Sequence, residues 1–238
     1  MFITVELKSF IKVTSVFVAV AILAAAAIAF FPRHTALRAD SAMRAYTLVI
    51  DAGHGGVDGG AVSADGKKES DINLNIALKM SALSDFLGID CVLTRDTDSD
   101  NSDSGSYSEH NSLVSRAELA NSIDNSLLIS IHQNKFPSEL VSGAEIMYAD
   151  TEGSRELGLI TQDNMVSLLD PENRRVARPA PSELLLTSSV KCPAILAECG
   201  FMSNPDESHR LSTSEYQLKI AVVLMGSYIQ FSNNRLPA

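Results

Sequence analysis

From residue 46 onward, short apolar runs alternate with segments of helical periodicity. Five runs are strand candidates, and several of them are apolar nearly throughout, which is the pattern of strands covered on both faces of a sheet. These predicted strands are YTLVI (46–50), DCVLT (90–94), SLLISIH (126–132), AEIMYA (144–149) and PAILAE (193–198). The alternation predicts the α/β fold class, as a three-layer domain whose central, mostly parallel or mixed sheet is flanked by helices.

Four segments carry apolar residues at helical spacing. Asp71 is predicted to cap the first helix and Gly88 to end it. The third begins at Ser154, and the last runs from about Ser214 to Phe231. The core-facing positions are Ile76, Met80, Leu83 and Leu87, then Leu113, Ala117 and Ala120, then Leu157, Ile160 and Leu168, and finally Tyr216, Ile220, Leu224 and Tyr228.

The polar stretch at residues 96–112 lacks an apolar period and is predicted to be a solvated loop. It starts with alternating aspartates, as calcium loops do, but position six is Asn101 rather than glycine and position twelve is Tyr107 rather than glutamate.

Residues 13–31 are uncharged for 19 positions, about the length that a bilayer-spanning helix needs. Lys8 and Lys12 precede them, which favours a cytoplasmic N-terminus. The predicted organisation is a cytoplasmic segment (1–12), a transmembrane anchor or signal segment (13–32), a tether (33–45), the folded domain (46–232) and a tail (233–238). We therefore expect a membrane-anchored domain on the extracytoplasmic side, or a secreted one if the segment is a cleaved signal peptide.

The formal net charge of −10 argues against nucleic acid as a partner, because phosphate binding needs a basic face. Cys91, Cys192 and Cys199 are odd in number and form no C-x-x-C pair. Buried, unpaired thiols are the expectation, and a Cys192–Cys199 disulfide is the alternative.

The stretch LVIDAGHGGVDGG (48–60) places His54 among glycines just after a predicted strand, which raises the question whether it forms a catalytic or ligand-binding site. A phosphate-binding loop is excluded, because Asp58 stands where the dinucleotide fingerprint needs glycine and no Gly-Lys-Ser/Thr follows. His54, His132 and Glu198 lie at or just after predicted strand ends, and Glu69 lies just before the first helix. In open α/β sheets the ligand crevice lies beyond the carboxyl ends of the strands, so these side chains are expected at one rim.

Two histidines and one carboxylate suffice for a catalytic zinc ion, and a second glutamate would remain for proton transfer. Each residue also has a structural explanation when taken alone. A histidine at a strand end is commonly a satisfied polar residue, and a glutamate near a helix start serves the helix dipole. Glu198 is harder to explain in this way. A carboxylate at the end of an apolar strand is costly to desolvate, so it needs either a charged or hydrogen-bonding partner or a functional role.

Four motifs occur in one order: IDAGHGGVDGGA, KESDINLNIALKM, LLISIHQNKF and PAILAECGFMSN. In order and spacing the chain resembles the zinc-dependent N-acetylmuramoyl-L-alanine amidases of the amidase-3 type, over about Tyr46 to Phe231. The resemblance implies that His54, Glu69 and His132 bind Zn²⁺ and that Glu198 is the catalytic glutamate. It also implies peptidoglycan as substrate, with cleavage between N-acetylmuramic acid and the L-alanine of the stem peptide.

The N-terminal anchor and the polar insertion look most like the spore-cortex amidases of endospore formers, which begin muramic-lactam formation. Some relatives need an activating protein partner. Gln133 and Lys135 replace small residues of many relatives and are expected to shape substrate preference without affecting the metal. Two alternatives stay open: a catalytically silent peptidoglycan-binding or regulatory domain, and a zinc peptidase acting on another amide. Neither H-E-x-x-H nor G-x-S-x-G occurs in the sequence.

Overall fold

The computed structural model describes residues 46–100 and 107–235. The predicted cytoplasmic segment, the anchor or signal segment (13–32) and the tether (33–45) lie outside these ranges. Within the described ranges, no helix is both long enough and apolar enough to span a bilayer.

Strands and helices alternate along the described part of the chain. The strands are β1 (Thr47–Ala52), β2 (Cys91–Leu93), β3 (Ser126–Asn134), β4 (Glu145–Tyr148), β5 (Arg178–Pro179) and β6 (Ala194–Phe201). The helices are α1 (Glu69–Leu87), α2 (Glu109–Ser122), α3 (Ser154–Leu169), α4 (Leu185–Ser189), α5 (Pro205–Leu211) and α6 (Ser214–Asn234).

The strands form one mixed sheet in the order β2-β1-β3-β6-β4-β5. The pairs β1–β2, β1–β3 and β3–β6 are parallel, whereas β4 runs antiparallel to β6. The predicted central sheet with flanking helices is therefore confirmed. Because β1, β3 and β6 run in the same direction, their carboxyl ends lie at one edge of the sheet.

The central strands are buried on both faces, which explains their continuous apolar sequences. In β1, Leu48 and Ile50 pack into the core cluster shared with α1, α3 and α6. Val49 points to the other face, because successive side chains of a strand alternate. It joins a second cluster that includes Ala117 of α2 and Leu186 of α4.

Three details of the predicted helices are corrected by the structure. Helix α1 begins at Glu69 with Lys68 as its N-cap residue, so Asp71 lies in the first turn rather than at the cap. The extended backbone of Lys68, paired with Val62, brings the chain straight into the helix. Leu87 and Leu168, which were predicted to face the core, lie in the last turns of their helices and are 48% and 66% exposed.

The predicted loop 96–112 is wrong for its last four residues. Helix α2 begins at Glu109, and the hydroxyl of Ser108 accepts a hydrogen bond from the Asn111 amide. This cap satisfies one of the amides that the first turn of a helix leaves unpaired. Helix α6 continues to Asn234, beyond the predicted end at Phe231. All three cysteines are free thiols, as expected. Cys192 and Cys199 are buried, whereas Cys91 is only half-buried.

Candidate active site

His54 lies two residues after β1, in a turn held by two arginines. Arg95 donates from Nε to the Ala52 carbonyl (2.8 Å) and from Nη2 to the Gly53 carbonyl (3.0 Å). Arg116 donates from Nη2 to the carbonyl of His54 itself (2.7 Å). The two guanidinium groups thus satisfy the carbonyls that leave the sheet here, and they fix the backbone from which the imidazole projects.

Asp51 is the anchor of one of these arginines. The predicted first strand ended at Ile50, but β1 continues to Ala52, so Asp51 lies within the strand and is fully buried. It accepts hydrogen bonds from Thr94 (2.7 Å), Arg116 (2.9 Å) and Ser130 (2.6 Å). Burial raises the pKa of Asp51, but the Arg116 guanidinium and these hydrogen bonds outweigh it, so the pKa lies below its usual range. Asp51 therefore acts as a buried structural counter-charge.

The side chains of His54, Glu69 and His132 converge at the edge of the sheet where β1 and β3 end. His132 lies within β3, because the strand continues to Asn134 rather than ending at His132 as predicted. Glu69 Oε1 lies 3.0 Å from His132 Nδ1 and 3.3 Å from His54 Nε2. One donor atom from each of the three residues lies within 4.8 Å of the others, and the two ring centroids are 4.9 Å apart. These distances suit three ligands around one cation, because bonds of about 2 Å to a shared ion require closely spaced donors.

The charges in this cluster are strongly coupled. Burial lowers the pKa of His54, but hydrogen bonds and charges from Glu69 and Asp58 outweigh it and raise the pKa to about 9. Burial raises the pKa of Glu69, but the two imidazoles hold that pKa far below its usual range. The cluster therefore holds an ionised carboxylate at neutral pH, which is the form that binds a cation.

The Glu69 carboxylate is held from several sides. Its Oε2 accepts from the Ala61 amide (2.8 Å), and its Oε1 accepts from the Gln133 amide (2.9 Å) and from Asn73 Nδ2 (3.4 Å). The Gln133 side chain is buried and donates to Asn73 (3.1 Å). The backbone amide of Gln133 thus contacts Glu69 directly, whereas its side chain reaches Glu69 only through Asn73. The expectation that Gln133 leaves the metal unaffected stays a prediction. Lys135 is exposed and donates to the Val62 carbonyl (3.2 Å).

Asp58 and Tyr107 are functional candidates that the sequence analysis did not assign. Asp58 Oδ2 lies 2.7 Å from His54 Nδ1 and accepts from the Tyr107 hydroxyl (2.9 Å), while Oδ1 accepts from the Gly60 amide (3.1 Å). Metal-binding histidines commonly donate their other ring N–H to a carboxylate. An aspartate close after a candidate ligand is a signal for such a partner, whereas nothing near Tyr107 in the sequence indicates its role.

Two glycines allow the imidazoles to approach. Gly60 has a φ of 64°, and a Cβ there would lie 2.7 Å from both Glu69 Oε2 and His54 Cδ2. A Cβ on Gly53 would overlap the His132 imidazole. The glycine-rich stretch around His54 thus leaves room for the cluster of His54, Glu69 and His132.

Glu198 lies on β6 directly beside His132 of β3. Both residues, with His54, line a cavity of about 220 Å³ whose lining also includes the apolar side chains of Leu184, Leu185 and Leu186. Among the described residues, Glu198 Oε2 is buried without a hydrogen-bond partner. Burial raises the pKa of Glu198 to about 7, with the nearby His132 opposing this rise and Glu69 adding to it. Such a carboxyl exchanges a proton readily near neutral pH.

The fold and the site together define an α/β protein with a candidate metal centre at the carboxyl edge of its sheet. Residues 48–226 match the family Amidase_3, N-acetylmuramoyl-L-alanine amidase, and the chain belongs to this family. The predicted enzyme class, a hydrolase that acts on peptidoglycan, is thereby confirmed.

Individual relatives agree with this assignment. The germination-specific N-acetylmuramoyl-L-alanine amidase of Bacillus subtilis (strain 168) is 34% identical over 180 residues, covering 73% of this chain and 74% of the relative. The solved structure of the CwlD amidase from Clostridioides difficile, in complex with the GerS lipoprotein, has a TM-score of 0.74 at 32% identity. That match covers 79% of this chain and 99% of the solved chain. An N-acetylmuramoyl-L-alanine amidase of Clostridium difficile 630 gives a TM-score of 0.71 at 31% identity, covering 82% and 100% of the two chains.

Proposed function

We propose that this chain is a zinc-dependent amidase in which His54, Glu69 and His132 bind the ion and Glu198 transfers the proton. One observation carries the proposal: three donor atoms of these ligand types lie within 4.8 Å of one another, beside a glutamate with one buried carboxyl oxygen. A catalytically silent domain would not need, at this place, a carboxyl oxygen that is buried without a hydrogen-bond partner among the described residues, because such burial costs stability.

The residues present fit a zinc ion. Two imidazole nitrogens and one carboxylate oxygen are a donor set of catalytic zinc sites, which keep a further position for water or substrate. The carboxylate of Asp58 at His54 Nδ1 is the outer partner that such ligands commonly have. When bound, zinc would polarise the amide carbonyl and acidify a water molecule.

Glu198 is placed to move the proton. With a pKa near 7, its carboxylate form takes a proton from the attacking water while the water oxygen bonds to the amide carbon. The same proton is then delivered to the alanine nitrogen as the carbon–nitrogen bond breaks. The products are a free lactyl carboxylate on the muramic acid and a stem peptide with a free amino terminus.

The test is digestion of purified peptidoglycan by the zinc-loaded protein, followed by mass spectrometry of the products. Free stem peptides that begin with alanine, alongside intact glycan, are expected. Glu198→Gln should keep zinc bound but reduce turnover by about 10²- to 10⁴-fold, the typical contribution of a positioned acid–base group. The exposed Glu183→Gln variant is the matched control. Turnover at the wild-type rate in Glu198→Gln would overturn the assigned role.

We also propose the spore cortex as the physiological substrate, supported by the likeness to the germination-specific amidase of Bacillus subtilis. Cortex and vegetative-wall peptidoglycan from one endospore former, digested side by side, test this proposal. Faster release of stem peptides from cortex is the expected result. Equal rates on both substrates would count against it.

We further propose that residues 13–32 form an uncleaved anchor that holds the domain outside the cytoplasmic membrane. Nineteen uncharged residues after Lys12 support this. The full-length protein should begin at Met1 and stay with membranes after a salt wash. A new N-terminus between residues 33 and 46 would show cleavage instead.

A protein partner is proposed by analogy, since the related Clostridioides difficile amidase was solved in complex with a lipoprotein. Zinc affinity of the purified protein, measured alone and with the GerS lipoprotein of Clostridioides difficile as the probe, tests this. Tighter zinc binding with the lipoprotein is expected, and an unchanged affinity would speak against an activating partner.

A further inference from the structure

We propose that Tyr107 is a positioning residue for the metal ligand His54 and acts through the carboxylate of Asp58. The inference rests on the proposed function, because it concerns the ion that His54 would bind. It adds to that function a role for the end of the polar insertion, which the sequence analysis treated as a solvated loop.

The three side chains form a continuous hydrogen-bonded chain. The Tyr107 hydroxyl donates to Asp58 Oδ2 over 2.9 Å, and the same oxygen lies 2.7 Å from His54 Nδ1. The other oxygen, Oδ1, accepts from the Gly60 amide. Both carboxylate oxygens are thus engaged, so Asp58 cannot rotate without breaking bonds at both ends.

The backbone directs Asp58 back towards His54. The Gly55 amide donates to the Asp58 carbonyl (2.8 Å) and the Asp58 amide donates to the Gly55 carbonyl (3.0 Å), which closes residues 55–58 into a tight turn. His54 itself has a φ of 60°, a left-handed conformation that is unfavourable for a residue with a Cβ. Such a conformation persists where surrounding contacts hold it, and Asp58 supplies one of them.

The position of Asp58 also decides which ring nitrogen of His54 is free. A neutral imidazole that offers Nε2 to a cation must carry its proton on Nδ1. A carboxylate that accepts a hydrogen bond from Nδ1 favours this tautomer and orients the ring. His54 Nε2 then faces Glu69 Oε1 at 3.3 Å, towards the proposed ion.

Tyr107 contributes by holding the carboxylate in this position. It directly precedes Ser108, the N-cap of α2, so its backbone is tied to a regular element. Its hydroxyl stays protonated over the neutral range, since burial and the neighbouring Asp58 raise the pKa of Tyr107 to about 12. It is therefore a hydrogen-bond donor whenever Asp58 is ionised.

Zinc affinity, measured by competition with a chromophoric chelator, tests the proposal independently of activity. Asp58→Asn should weaken zinc binding about 10- to 100-fold, as loss of an outer-shell partner does. Tyr107→Phe should weaken it by about three- to tenfold, because one hydrogen bond to that partner is lost. In the Asp58→Asn background, Tyr107→Phe should have no further effect, since the two residues act in series. Tyr216→Phe, a hydroxyl loss on α6, is the matched control.

Two further results keep the outcomes distinct. The visible absorption of the Co²⁺-substituted protein should shift in Tyr107→Phe but not in Tyr216→Phe, because it reports ligand geometry. If Tyr107→Phe lowers only the unfolding midpoint and leaves zinc affinity and the Co²⁺ spectrum unchanged, Tyr107 only stabilises the folded loop, and the inference is overturned. An undiminished effect in the Asp58→Asn background would overturn it too. Failure of the wild-type protein to bind zinc would instead refute the proposed function.

Discussion

Glu198, a half-buried glutamate with one buried carboxyl oxygen, allows a quantitative test of the site electrostatics. Among the described residues its Oε2 has no hydrogen-bond partner, and burial raises its pKa from an ordinary 4.5 to about 7. As the pH rises, the unfolded chain loses this proton before the folded chain does. The folded state is therefore progressively destabilised between about pH 4.5 and about pH 7.

The magnitude follows from the size of this rise. At about 1.4 kcal/mol per pKa unit, ionisation of Glu198 costs the fold about 3 kcal/mol once the pH exceeds both values. Glu198→Gln keeps the shape of the side chain and removes the charge. The difference in free energy of unfolding between the variant and the wild type should therefore shift in favour of the variant by about 2 to 3 kcal/mol when the pH rises from 5 to 8.

Urea unfolding of the two proteins at pH 5 and at pH 8 measures this gain. EDTA must be present, because a bound divalent cation beside Glu198 would offset the destabilisation. For an m-value of about 2 kcal/mol/M, the difference in urea midpoint between the variant and the wild type should be about 1 M larger at pH 8 than at pH 5. Any packing cost of the glutamine amide is the same at both pH values. The change in midpoint difference between pH 5 and pH 8 therefore reports only the ionisation of Glu198. Glu183→Gln, at an exposed position, should show no comparable change. An equal midpoint difference at pH 5 and pH 8 would refute the reasoning.

Three further predictions concern the ligands and their support. His132→Ala should lose both bound zinc and activity, and an unchanged metal content by mass spectrometry would remove its assignment as a ligand. Arg116→Ala should lower the free energy of unfolding by about 3 to 5 kcal/mol, because it leaves the buried Asp51 carboxylate without its counter-charge; a loss below 1 kcal/mol in urea unfolding would contradict this. Gly60→Ala should weaken zinc binding as well as stability, because its Cβ would lie 2.7 Å from Glu69 Oε2. Gly66→Ala, at a similar positive φ but with no atom within 4 Å, should cost only backbone strain of about 1 kcal/mol. Chelator competition that fails to separate these two variants would contradict the crowding argument.

The sequence determined the sheet-and-helix alternation because burial on both faces forces continuous apolar runs in the central strands. It also indicated the shared edge of the sheet, since parallel strands bring their carboxyl ends together. Short elements could not be predicted from the sequence. The two residues of β5 and the five of α4 are too few to show a period, and contacts with neighbouring elements decide their conformation. The extra turn at the start of α2 was hidden in a polar stretch with no apolar spacing.

For the candidate site, His54, Glu69 and His132 could be named from motif order, but their convergence within 4.8 Å is a property of the folded chain. Side chains distant in sequence leave no local pattern, and so the approach of Tyr107 to Asp58 across 49 residues could not be predicted. The composition of each strand follows from its own burial, whereas hydrogen bonds between loops depend on where the packed core places them.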